Sequence, residues 1–352
     1  VAVLLPILVF LAAAVAVWLA GVRLSDATDV LASRLGLGEA LGGLILLAIA
    51  TNLPEIAITA SASLSGELGI AIGNILGGIA IQTVVLVALD AFGIHGGRPL
   101  TYRAASLQLV LEGSLVVAVL VIAVMGTQLP SSLVVWRVAP GGVLIAIAWV
   151  LGIALIGRAR NGLPWHQEGR APEGQESAPG ASKGKKEEDS AKRGESTRRV
   201  ALVFAAAALV TLAGGVALEE SGTRIAEHIG MSGVLFGSTV LAASTALPEV
   251  STGLASTRLG DYGLAVSDIF GGNAFLPVLF LVASLLSGEA VLPQAHDTDI
   301  YLAALGGLLT IVYMYGLVFR PARRVAGIGI DSLVVLVLYA IGIAGLVAVA
   351  HG

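Results

Sequence analysis

Cysteine is absent from this 352-residue chain, and charge and aromatic rings are scarce: 12% of residues are charged and 5% are Phe, Trp or Tyr. Without cysteine there is no disulfide scaffold, thiolate nucleophile or Cys-based zinc or iron–sulfur centre. The charged share is well below the ~25% of a soluble domain. The histidines (His95, His166, His228, His296, His351) are scattered and form no metal or proton-relay cluster. An intramembrane metalloprotease would need H-E-x-x-H, which is missing, and Leu259-Gly260-Asp261 does not supply the G-x-G-D of an aspartyl one. Soluble enzymes and nucleic-acid modules are excluded, and nothing calls for an organic cofactor.

What is present is apolar. Hydrophobic residues make up 56% of the chain and the mean hydropathy is +0.92. Several runs exceed the ~18 residues that mark a membrane span. The sequence therefore reads as an integral, all-α membrane protein whose partners are the lipid bilayer and inorganic cations, with no obligate protein partner in view. The first run lacks an A-x-A-like site and reads as a span, not a signal peptide. Ten transmembrane helices are expected, near 2–20, 38–63, 67–93, 104–126, 132–157, 199–217, 232–256, 261–287, 299–319 and 328–350. The polar stretch 158–199, rich in Gly, Ser, Glu and Lys, cannot bury apolar surface and reads as a disordered linker. It divides the chain into five-helix units at 1–157 and 200–352.

Basic residues orient the spans. With the N-terminus outside, 18 of the 20 Lys and Arg fall on the inner side, leaving Arg137 and Arg224 outside. Both termini are thus expected outside and the linker in the cytoplasm, with the plasma membrane as the expected location.

An internal repeat runs ungapped at an offset of 194 residues between about 31–82 and 225–276. Thr51-Asn52-Leu53-Pro54-Glu55 matches Thr245-Ala246-Leu247-Pro248-Glu249, and Gly36, Gly43, Gly66, Gly69, Gly77 and Gly78 match Gly230, Gly237, Gly260, Gly263, Gly271 and Gly272. Five spans separate the copies. An odd number turns the second over, so two inverted repeats are expected, the plan of secondary transporters with sites on interrupted helices at mid-membrane.

Glu55 and Glu249 fall deep within apolar runs, where a carboxylate costs several kcal/mol and marks function by default. Pro54 and Pro248 precede them and free the carbonyls of Ala50 and Ser244. Each motif thus gathers a carboxylate, a hydroxyl (Thr51, Thr245) and backbone oxygens within a turn, the hard ligands that Ca²⁺ prefers. The competing reading is a pair of protonated glutamates pinning helices together. Asn74 corresponds to Asp268, a third mid-membrane acid, and Gln82, two turns after Asn74, corresponds to Leu276. For Asn273 packing and ligation stay equally open, as do pairing, snorkelling and transport for Glu112 with Gln108 one turn away. Asp90, Asp299 and Asp331 read as interfacial.

With these residues aligned, the chain resembles the cation/Ca²⁺ exchanger superfamily, which includes the Na⁺/Ca²⁺ exchangers. The resemblance lies in the two T-x-L-P-E motifs, similar to that family's G-T-S-x-P-E-type signature. It extends to Gly73-Asn74-Ile75-Leu76-Gly77-Gly78 and Ser267-Asp268-Ile269-Phe270-Gly271-Gly272-Asn273, similar to its G-N-x-x-G-S-N segment. It implies Ca²⁺ exchange for Na⁺ or H⁺ by alternating access. Glu55 and Glu249 would be the central ligands and Thr51 and Thr245 further oxygen donors. The family's serine is replaced by Asn52 and Ala246, its small hydroxyl residue by Gly78 and Gly272, and its later polar residue by Gln82 and Leu276. Those changes remove oxygens from the family's flanking Na⁺ sites, while Asp268 adds a carboxylate. The resulting expectation is a secondary antiporter with Ca²⁺ as substrate; a Na⁺/H⁺ or other cation/H⁺ exchanger on the same scaffold is the alternative.

Overall fold

The structure, a computed structural model, describes residues 3–34, 47–94, 97–160, 196–258 and 260–351. The bulk of the segment expected to be the linker, and residues 35–46 ahead of the first motif, lie outside the described residues. The first half contains α1 (Leu4–Arg34), α2 (Leu47–Thr51), α3 (Leu53–Ser65), α4 (Leu68–Gly93), α5 (Leu100–Ala104), α6 (Leu107–Thr127) and α7 (Pro140–Arg160). The second contains α8 (Thr197–Ile229), α9 (Gly233–Thr245), α10 (Leu247–Arg258), α11 (Tyr262–Ser287), α12 (Asp297–Phe319) and α13 (Ile330–His351). A two-stranded hairpin, β1 (Arg324–Val325) and β2 (Ile328–Gly329), precedes α13. Its turn residues Ala326 and Gly327 both have positive φ, as a tight hairpin with the twist of its strands requires.

Among the described residues eight helices are long and apolar enough to cross a membrane, and the bent pair α9–α10 makes a ninth. The remaining expected span, 38–63, begins outside the described residues. Matching helices keep the sequence offset: α3 and α10 begin at Leu53 and Leu247, α4 and α11 at Leu68 and Tyr262, each 194 residues apart.

Two helices run further than hydropathy suggests. The apolar part of α1 ends near Leu24, yet no Gly or Pro interrupts the sequence before Arg34 and the helix continues. α8 passes the end of its apolar run and stops at Gly230, whose φ of 67° makes a left-handed cap. Helix growth needs only unbroken backbone bonding, whereas hydropathy registers only the part immersed in lipid.

α4 is the central rod: 89% of its apolar window is buried, against 17% for α13. It packs on α3, α9, α11 and α12, while α1 lies along α8. The exposed side chains of the outer helices are themselves apolar (Leu5, Leu11 and Leu19 on α1; Val150, Leu151 and Leu155 on α7). An apolar exterior of this kind suits a lipid solvent. Glycines let α4 and α9 cross backbone to backbone. A Cβ on Gly73 would lie 2.7 Å from the Val234 carbonyl oxygen, and one on Gly237 2.9 Å from that of Ile70. Such close approach is how helices associate in lipid, where no hydrophobic force drives them together.

The three aspartates at helix ends are buried within the protein. The Asp90 carboxylate accepts from the backbone N–H of Leu100 (2.9 Å) and of Gly329 (2.5 Å). Asp331 accepts from the Thr101 hydroxyl at 2.5 Å, and Asp299 caps α12 by accepting from the His296 N–H at 2.8 Å. Orphan backbone donors at element ends explain their position.

Candidate ion-binding site

The helix containing the first motif breaks at Asn52 (φ −90°, ψ 14°) and restarts with Pro54 in the first turn of α3. The second breaks at Ala246 (φ −78°, ψ 0°), and the axes of α9 and α10 diverge by 41°. Proline fits a first helical turn, where its missing N–H is no loss. Each proline therefore opens a new helix instead of kinking an old one. Thr51 and Thr245 close the preceding segments and are buried, and Glu55 and Glu249 lie one residue beyond the prolines, 0% and 2% exposed.

The two motifs meet. The side chains of Thr245 and Gln82 lie against the Glu55 carboxylate, and Glu249 is within electrostatic reach of Glu55 and Asp268. No hydrogen bond of good geometry reaches any of the four oxygens of Glu55 and Glu249. Among the described residues no cationic side chain neutralises either. Asp268 is half-buried and accepts from the Thr252 hydroxyl at 3.3 Å. Asn52 and Gln82 are joined at 3.4 Å (Gln82 Nε2 to Asn52 Oδ1). Gly272 makes room for them: a Cβ there would lie 2.9 Å from Asn52 Nδ2 and 3.4 Å from Gln82 Oε1. The larger Asn52 and the bare Gly272 are thus complementary.

Other sequence candidates divide. Asn74, 0% exposed, has neither side-chain atom hydrogen-bonded and sits where α4 crosses α9. The Asn273 amide donates to Thr83 Oγ1 at 3.1 Å and to the Ile79 carbonyl at 3.4 Å, tying α11 to α4, while its Oδ1 is buried without a partner. Glu112 is buried and accepts from Gln108 at 2.8 Å, so it does not snorkel. It borders a small cavity lined by Trp149, Phe270 and Gly271.

Sequence reading passed over Glu219, 2% exposed on α8, which accepts from Ser61 Oγ at 2.8 Å and from Thr223 at 3.3 Å. It lies just past the apolar run, and only the continuation of α8 brings it inside. Among the described residues no group of three His, Cys, Asp or Glu converges as ligands of one ion. Any cation held here would add hydroxyl, amide and carbonyl oxygens to the carboxylates.

A buried carboxylate without a counter-ion is strongly disfavoured. Two of them at breaks between apolar helices fit the plan of a membrane transporter of ions. Comparison with known proteins gives its family: residues 5–158 and 199–348 match the family "Sodium/calcium exchanger protein", and the chain belongs to it. It is 24% identical over 306 residues to the inner membrane protein YrbG of Escherichia coli (strain K12), covering 86% of each chain. The fold is that of the H⁺/Ca²⁺ exchanger CAX (TM-score 0.65, 12% identity, 98% of this chain and 87% of that one). It is also that of the sodium-calcium exchanger NCX_Mj (TM-score 0.58, 19% identity, 97% of this chain and 99% of that one).

Proposed function

We propose that the protein moves Ca²⁺ across the membrane in exchange for Na⁺ or H⁺ by alternating access, with the ion held near mid-membrane between Glu55 and Glu249. The observation that carries this reading is the neighbouring pair of buried carboxylates without a protein counter-ion. Two such anions repel and are poorly solvated. A divalent cation relieves both costs, and its departure leaves the pair to bind protons or smaller cations. Charge on the pair is then conserved only by exchange, which is antiport. Thr51 and Thr245 supply hydroxyl or carbonyl oxygens at the breaks, Asn52, Asn74 and Gln82 amide oxygens, and Asp268, which does not converge with the two glutamates on one ion, adds negative charge beside Glu249.

On this reading the halves, 1–157 and 200–352, are inverted five-helix repeats in a plasma-membrane protein of ten spans. Both termini lie outside and the linker 158–199 is cytoplasmic. The constant offset of matching helices supports the repeat, and the count of spans between copies supports the inversion. The ions are cargo, and no resident cofactor takes part.

The second reading is a Na⁺/H⁺ or other cation/H⁺ exchanger on the same scaffold; within the first, Gly78, Gly272 and Leu276, which offer no side-chain oxygen for flanking Na⁺ sites, favour fewer Na⁺ ions or protons as the coupling ions. Flux of radiolabelled Ca²⁺ in proteoliposomes under imposed Na⁺ or pH gradients separates them. Ca²⁺ uptake driven by either gradient is expected. A pH gradient dissipated by monovalent cations, with no Ca²⁺ movement, selects the second reading, and no cation flux at all removes both.

A further inference from the structure

Many buried helix hydroxyls close on the carbonyl one turn back: Thr83 on Ile79 at 2.7 Å, Ser284 on Phe280 and Thr310 on Gly306 at 2.8 Å, Thr252 on Pro248 at 3.1 Å. Among the described residues three buried hydroxyls have no partner, Thr211 on α8 and two in succession on one face of α3. These two are Thr59 and Ser63, 0% and 2% exposed. With Glu55 they form a row at intervals of one turn, about 6 Å apart along the axis. Leaving a buried hydroxyl unpaired is costly unless something else uses its oxygen.

Past the row and Gly66 stands Glu67, whose charge, like that of Glu220, acts on Glu219; Ser61 holds Glu219 from the opposite face of α3. Glu67 and Glu220 are exposed. The row is only partly repeated in the second half: Gly253 takes the place of Thr59, and Thr257, in the place of Ser63, closes on the Leu254 carbonyl at 3.0 Å. The Leu89 side chain fills the space a Cβ on Gly253 would need.

We propose that Ser63 and Thr59 are the transit oxygens by which a hard cation passes between Glu55 and the outer end of α3, and that Glu219, with Glu67 and Glu220, collects cations at the mouth of this route. The proposal rests on the transport reading above. Its chemistry is that of Ca²⁺ itself: oxygen donors replace hydration water stepwise along the helix, and clustered carboxylates raise the local cation concentration.

The naturally cysteine-free chain permits a direct test. Thr59→Cys and Ser63→Cys, reconstituted in vesicles, are treated with a membrane-impermeant cationic methanethiosulfonate. Ile58→Cys and Ala62→Cys serve as controls, because both side chains pack into the apolar cluster with Phe10 and Phe236. The route requires that the first two react and the controls do not, and that saturating Ca²⁺ slows the reaction at Thr59→Cys and Ser63→Cys by about fivefold or more. Labelling of Thr59→Cys and Ser63→Cys no faster than the controls, while the unsubstituted chain exchanges Ca²⁺, overturns the route alone. Absence of Ca²⁺ exchange by the unsubstituted chain overturns the transport reading and the route with it. Should a cysteine variant fail to insert, Glu219→Gln decides: it is expected to slow exchange about threefold or more at limiting Ca²⁺ and little at saturation, and an unchanged rate at limiting Ca²⁺ overturns the collecting role.

Discussion

Gly21 of α1 lies directly against Pro248 of the second motif: a Cβ on Gly21 would meet both Cβ and Cγ of Pro248 at 2.7 Å. The same relationship recurs 194 residues on. A Cβ on Gly215 of α8 would lie 2.7 Å from Ala57 Cβ and 3.0 Å from the Pro54 carbonyl oxygen. Each long helix therefore seats the broken helix of the opposite half through one glycine. Gly21→Leu and Gly215→Leu are expected to cost about 1–3 kcal/mol each through overpacking. Thermal unfolding in detergent measures it, and variants as stable as the parent would show that these contacts relax freely.

Replacing either central acid should stop transport without harming the fold. Glu55→Gln and Glu249→Gln each keep shape and volume but remove a charge that would face the cation. Exchange is expected to fall at least about a hundredfold, equivalent to ~3 kcal/mol. Membrane insertion, followed by yield and gel filtration, stays normal. Rates like those of the parent chain in both variants would remove the pair from the mechanism.

Asn52 and Gly272 should be coupled. Gly272→Ser alone forces a Cβ against Asn52 Nδ2, 2.9 Å away in the present structure, and is expected to slow exchange about tenfold. Adding Asn52→Ser frees the space and should recover most of that loss. A double-mutant cycle with a coupling of about 0.5–3 kcal/mol is the expected result; strict additivity would mean the two positions do not share space.

Asn273→Ala loses two bonds between α11 and α4. Thr83 keeps its own bond to the Ile79 carbonyl, so no donor is stranded and the cost should be only about 1 kcal/mol. The Ca²⁺ concentration giving half-maximal exchange is expected to stay the same. A large change in it would return Asn273 to the binding site.

Deletion of most of residues 165–195 is expected to leave the basic exchange activity in place, since a segment of that composition has too little apolar surface to bury. Loss of exchange in a deletion variant that still inserts would give the linker a part in transport.

How far the sequence reaches can be judged from particular residues. The prolines announced a break beside Thr51 and Thr245, and the structure breaks one residue later, at Asn52 and Ala246, because proline fits the opening turn of a helix. Glu112 and Asn273 could not be placed from the sequence: only the structure shows their contacts with Gln108, Thr83 and the Ile79 carbonyl, and the last two belong to the half opposite Asn273. Glu219 was hidden because hydropathy follows the lipid-facing length of a helix and not its full extent.

The amino-acid order alone determined the lipid solvent, the repeat, the broken helices and the buried acids, since these follow from transfer energies and backbone chemistry along one segment. Tertiary structure alone decided which oxygens face one another: Glu249 beside Glu55 and Asp268, Gln82 reaching Asn52, Thr59 and Ser63 left without partners. Those relations join positions far apart in the chain, and only the packing of α3 and α4 against α8, α9 and α11 fixes them.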